Sequence, residues 1–162
     1  MSLLRRLVLG AAVAAAVFVG MQGAEAREVV GMRGYAPGTI VVSTSQRQLY
    51  FVLPGKRAIR YPVGVGRAGM AWHGRARIAQ KDVRPAWVQV PGRTETIPGG
   101  SPRNPMGAAA MGLDRGNYAI HGTNDPSSIG GYVSHGCIRM HNADVMDLYY
   151  RAPVGTQVFV VQ

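Results

Sequence analysis

After residue 38 the chain reads as a series of short strand-like runs separated by turn signals, with a single helix-like stretch late in the sequence. Thr39-Ile40-Val41-Val42-Ser43 is rich in β-branched side chains and reads as a strand. Gln48-Leu49-Tyr50-Phe51-Val52-Leu53 follows as a second, and the turn Pro54-Gly55-Lys56 leads into Arg57-Ala58-Ile59-Arg60-Tyr61-Pro62-Val63. That last run alternates polar and apolar residues, the pattern of a hairpin strand with one buried face. Gly64, Gly66 and Gly69 are expected to break it into a loop. Residues 75–79 and 87–90 read as further strands, and Asn117-Tyr118-Ala119-Ile120-His121 as one that delivers His121 at its end. Residues 91–116, rich in glycine, proline and small side chains, read as a long loop of the kind that serves as a lid or substrate wall. One helix is expected. Asn142 is its N-cap, Asp144 lies in its first turn, and Val145, Leu148 and Tyr149 share one face. Pro153 and Gly155 end it, and residues 156–161 form a closing strand. The fold class is mainly β, a sandwich or barrel-like domain with one principal helix late in the chain.

The first residues carry the marks of export. Arg5 and Arg6 precede an apolar stretch over residues 7–20, and Ala24-Glu25-Ala26 fits a small-x-small cleavage site. Residues 1–26 therefore read as a signal peptide, 27–38 as a flexible lead and 39–162 as the functional domain. The stretch falls short of the roughly 20 apolar residues of a spanning helix, so no stable membrane span is expected after cleavage. A retained N-terminal anchor is the other reading. The formal charge of +10 favours an anionic partner, or serves solubility alone. Nucleic acid is disfavoured by the export signal and by arginines that are scattered, without aromatic interleaving.

The chain has a single cysteine. Exported proteins tend to pair their cysteines, so a lone thiol calls for a reason. Cys137 lies in Ser134-His135-Gly136-Cys137-Ile138-Arg139-Met140, downstream of His121-Gly122-Thr123. A thiol nucleophile needs a base or cation to activate it, donors for the oxyanion, and a group that holds the base in one tautomer. His121 is placed to be the base. Gly136 lets the backbone bend so that the amides of Gly136 and Cys137 point at one oxygen. Arg139, two residues beyond the thiol, projects to the same face and suits a carboxylate. If His121 activates the thiol, acylation should depend on a group titrating near neutrality.

Other readings stay open on these residues alone. Cys137 fits a small buried hydrophobe, His121 a satisfied core histidine and Arg139 a structural ion pair. His135, Cys137 and His141, with His121, make a candidate metal set, although no compact pair of ligand motifs is present. Trp72, Trp87 and Tyr118 read as core rather than substrate platform. His73 has no interpretable partner.

His121-Gly122-Thr123, then Ser128-Ile129-Gly130, then Ser134-His135-Gly136-Cys137-Ile138-Arg139-Met140 closely resemble the signature of the L,D-transpeptidase (YkuD-type) catalytic domain. Residues 40–66 resemble the family's opening hairpins, Asn104-Pro105-Met106-Gly107 its Asn-Pro-hydrophobe-Gly loop, and residues 142–161 its helix and final strand. The resemblance spans nearly all of residues 39–162. One departure stands out. Where family members carry Thr-Pro-x-Gly, this chain has Met70-Ala71-Trp72-His73-Gly74, and only the glycine matches.

The resemblance implies that Cys137 attacks the carbonyl of the third residue of a peptidoglycan stem tetrapeptide and expels D-alanine. His121 would move the protons, with the Gly122 backbone carbonyl orienting it. Amides near Gly136 and Cys137 would hold the oxyanion, Arg139 a stem-peptide carboxylate, and Ser134 and His135 would support the loop. Transfer to a diaminopimelate amine would give a 3→3 crosslink; water or an envelope protein as acceptor would give an L,D-carboxypeptidase or a protein anchored to the wall. No cofactor or metal is implied, and the expected location is the periplasm or cell envelope. A non-catalytic wall-binding or zinc-binding module is the alternative of another class.

Overall fold

The computed structural model describes residues 27–88 and 95–162. The expected signal peptide and residues 89–94, including the end of the strand expected over 87–90, lie outside them. Among the described residues, twelve strands and one α-helix occur in the order β1 (Glu28–Gly31), β2 (Ile40–Ser43), β3 (Gln48–Leu53), β4 (Arg57–Gly66), β5 (Gly74–Val83), β6 (Trp87–Val88), β7 (Thr96–Ile97), β8 (Ala109–Leu113), β9 (Ala119–His121), β10 (Tyr132–Ser134), β11 (Ile138–Met140), α1 (Asn142–Arg151) and β12 (Gln157–Val161).

The main sheet runs β4-β11-β9-β8-β5-β12-β2-β3, and β3 pairs back onto β4. The path closes on itself, which removes the exposed edges an open sheet would have. β1 and β10 add to β4, and β6 and β7 pair with each other. The expected mainly β, barrel-like domain with one late helix is what forms.

Side chains pointing inward fill the barrel. Ile40, Leu49, Tyr61, Val63, Met111, Ile120 and Leu148 are fully shielded from solvent. Each buried aliphatic of this size contributes roughly 1.5–3 kcal/mol. α1 packs beside β8 and places Val145 and Leu148 in that core. Tyr61 hydroxyl donates to Asp147 Oδ2 at 2.6 Å, and Arg27 and Arg151 pair with the same carboxylate. These bonds fasten the helix to the barrel wall and the start of the described chain to the helix.

Four local expectations change. The lead expected to be flexible contains β1, hydrogen-bonded along β4. β4 does not break at Gly64 but continues to Gly66, because Gly64 pairs with Arg139 of β11 and Gly66 with Ser134 of β10. The stretch expected as a loop over 91–116 contains β7 and β8, the latter held between β5 and β9. Asn142 is the first residue of α1 rather than its N-cap; His141 takes the cap position without a side-chain bond.

Candidate active site

The site is built on two neighbouring parallel strands. In the β9–β11 ladder Ile138 lies opposite Ile120 and Arg139 opposite His121. Cys137 precedes β11 by one residue, so it meets the start of β9. Its thiol accepts from the Ala119 backbone and lies 4.0 Å from the Asn117 carbonyl oxygen. The register thus brings His121 beside the segment that carries Cys137 and Arg139. Arg139 is close enough to act electrostatically on both partners, favouring neutral imidazole and thiolate.

His121 is 4% exposed, and its Nδ1–H donates to the Gly122 carbonyl at 2.7 Å. In the neutral ring that bond assigns the proton to Nδ1 and leaves Nε2 as an acceptor. Burial pushes the imidazole down to about 4, against the raising influence of the Gly122 carbonyl; Arg139 lowers it further and the Pro105 carbonyl opposes. Burial also pushes the Cys137 thiol up, and the Ala119 backbone and Arg139 act the other way. At neutral pH both groups rest uncharged. No hydrogen bond joins the thiol to His121 among the described residues, a looseness common before substrate binds.

The Cys137 loop satisfies its own backbone closely. Gly136 N–H donates to Ser134 Oγ at 3.0 Å, and Ser134 hydroxyl donates to the Cys137 carbonyl at 2.6 Å. The expectation that both amides aim at one oxygen is therefore not met at Gly136, whose N–H is engaged. The Cys137 N–H has no acceptor among the described residues. Arg139 Nε is buried without a hydrogen-bond partner. Ser134 is buried inside the loop, whereas His135 is exposed, its Nε2 contacting Arg67 rather than the thiol. Among the described residues no three His, Cys, Asp or Glu side chains cluster as a metal set, so His121, His135, Cys137 and His141 are not gathered as one.

Asn142 carries a role its sequence position did not announce. Its Oδ1 accepts from the N–H groups of Ala108 and Thr123, each at 3.0 Å, and its Nδ2 donates to the Thr123 carbonyl at 2.9 Å. One amide thus ties the helix start to the Asn104–Gly107 loop and to the segment just after His121. Gly122 has to be glycine here, since a Cβ would overlap Asn142 Oδ1. The loop is set in turn by Asn104, which is buried and donates to the Pro85 and Pro98 carbonyls while accepting from Met106 N–H. Asn142→Ala strands two donors and a carbonyl. Its expected cost is about 2 kcal/mol, read as a fall in Tm, with slower reaction at Cys137 as the His121 segment loosens.

The chain matches the YkuD family, described as the L,D-transpeptidase catalytic domain, over residues 37–160. It is 37% identical over 127 residues to the putative L,D-transpeptidase YqjB of Bacillus subtilis, covering 75% of this chain and 69% of that protein. It is 36% identical over 137 residues to the probable L,D-transpeptidase ErfK/SrfK of Escherichia coli, covering 75% of this chain but 43% of that one. The crystal structure of L,D-transpeptidase 3 from Mycobacterium tuberculosis with a faropenem-derived adduct superposes with a TM-score of 0.62 at 17% identity, over 76% of this chain and 60% of that chain. At that identity the likeness concerns the fold. On the family match over residues 37–160 and the identity to YqjB, the chain belongs to the YkuD family of L,D-transpeptidase catalytic domains.

Proposed function

We propose that the chain is an exported peptidoglycan L,D-transpeptidase that acts through a thioester on Cys137. The observation that carries this reading is the bond from His121 Nδ1–H to the Gly122 carbonyl. It leaves an unprotonated Nε2 on the strand next to the thiol and holds the ring in that tautomer. The thiol proton passes to His121 Nε2 as sulfur bonds to the carbonyl carbon of the third stem residue. The developing oxyanion accepts from the Cys137 N–H, and the half-buried Arg139 guanidinium, whose Nε has no hydrogen-bond partner, receives a stem-peptide carboxylate. Collapse breaks the bond to D-alanine, whose nitrogen takes the proton back from His121. An acceptor amine then attacks the thioester and gives its proton to His121, which passes it to the departing sulfur as the C–S bond breaks and the thiol is restored.

The acceptor we favour is the side-chain amine of diaminopimelate on a neighbouring stem, which yields a 3→3 crosslink. Location in the periplasm or envelope follows from the export signal over residues 1–26. No helix among the described residues is long and apolar enough to cross a membrane. The test is product analysis after incubation with a purified disaccharide-tetrapeptide. D-alanine and a crosslinked dimer are expected. A shortened tripeptide alone would move the reading to an L,D-carboxypeptidase, and no released D-alanine would overturn it.

A further inference from the structure

The mechanism above makes no use of Trp72, which stands in the one segment that departs from the family pattern. Its indole Nε1–H donates to the Gly136 carbonyl at 2.9 Å, across a sequence separation of 64. Its ring stacks on Tyr118 with centroids 5.2 Å apart and planes 5° from parallel. The Arg115 guanidinium sits 5.1 Å from the Trp72 ring centroid, a cation–π distance. The segment is also held by its backbone, through Met70 N–H to the Arg67 carbonyl. Tyr118 meets Gly136 from another side. Gly136 has φ +121°, and the space a Cβ would need there is filled by the Tyr118 ring. Trp72 and Tyr118 thus grip the residue before the nucleophile at its carbonyl and at its Cα.

What this grip does follows from the peptide unit. A trans peptide is planar, so its C=O and N–H point in opposite directions. Fixing the Gly136 oxygen fixes the direction of the Cys137 N–H. Of the four backbone polar groups on Gly136 and Cys137, Ser134 holds the Gly136 N–H and the Cys137 carbonyl. Trp72 holds the Gly136 carbonyl. The fourth, the Cys137 N–H, is the one left to serve an incoming oxygen. We infer that Trp72 is a positioning residue whose indole N–H aims the Cys137 N–H as the oxyanion donor. The inference rests on the reading of Cys137 as an acylating nucleophile.

Two reactions of the same thiol test it. Acylation by a carbapenem passes through an oxyanion, whereas alkylation by iodoacetamide does not, so only the first depends on the aim of the Cys137 N–H. Trp72→Phe keeps an aromatic ring for the stack and removes the donor. It is expected to slow acylation at least about tenfold, below the roughly 10²–10³-fold that follows outright loss of an oxyanion donor. Its alkylation rate and the pH profile of alkylation should stay within twofold of the parent. Trp72→His places an imidazole Nε2–H where the indole Nε1–H stands, and should acylate faster than Trp72→Phe. Unchanged acylation in Trp72→Phe, an equal fall in both reactions, or no recovery in Trp72→His would each overturn the inference. Absence of acylation in the parent protein would instead overturn the nucleophile reading beneath it.

Discussion

Cys137→Ala is expected to abolish acylation outright, with no covalent adduct by mass after incubation with a carbapenem and no D-alanine released from a tetrapeptide stem. Removing the nucleophile of an acyl-transfer enzyme costs on the order of 10⁶-fold in turnover. Nothing nearby can substitute. Cys137 is the only cysteine in the chain, and Ser134, the nearest hydroxyl in the loop, is buried and already bonded to the Cys137 carbonyl and the Gly136 N–H. The fold should survive, because the thiol makes only weak contacts with Asn117 and Ala119. An unchanged adduct mass on the alanine variant, with normal melting, would remove Cys137 from the mechanism.

His121→Ala is expected to slow acylation by at least about 10²-fold, the usual scale of lost base catalysis. The resting thiol is protonated, since burial raises it. The attacking sulfur is therefore made during the reaction, when His121 takes the proton, and is not stored as a thiolate. The pH dependence follows from the imidazole. Burial lowers it to about 4, and below that value the ring is charged and accepts no proton. Acylation should fall as pH drops through about 4 and hold level between 5 and 7. A limb near neutrality, as an ordinary histidine would give, is not expected in the folded protein. Rate measurements from pH 3 to 8 on wild type and His121→Ala check both points. A limb near 6.5 would contradict the dehydrated setting of His121, and a variant at full rate would contradict its role.

How far the chain could be read in advance depended on where each contact lay. The β2–β4 hairpins were legible because β-branched runs and alternation report local burial. β8 was not, since Ala109-Ala110-Met111-Gly112-Leu113 has little strand preference of its own and is extended by partners on both sides. Cys137, His121 and Arg139 stood out through their motif, and the strand register brings them together. The engaged Gly136 N–H could not be foreseen, because glycine leaves the path of a loop undecided until Ser134 claims the amide. Asn142 looked like a helix cap for a sound reason, as asparagine suits that position. Its amide serves instead three backbone groups of segments remote in sequence. Trp72 was legible as a large aromatic and as a departure from the family pattern, but its partner lies on the nucleophile loop, beyond the reach of any local rule.

The last strand has a consequence for the order of events in a newly made chain. β12 is an interior strand, parallel to β2 on one side and antiparallel to β5 on the other. Until residue 161 has emerged, β2 and β5 both present bare edges and the ring cannot shut. The base and the thiol are therefore synthesised well before the architecture that buries them. Ring closure is thus a long-range event, joining a strand near residue 40 to one near residue 160.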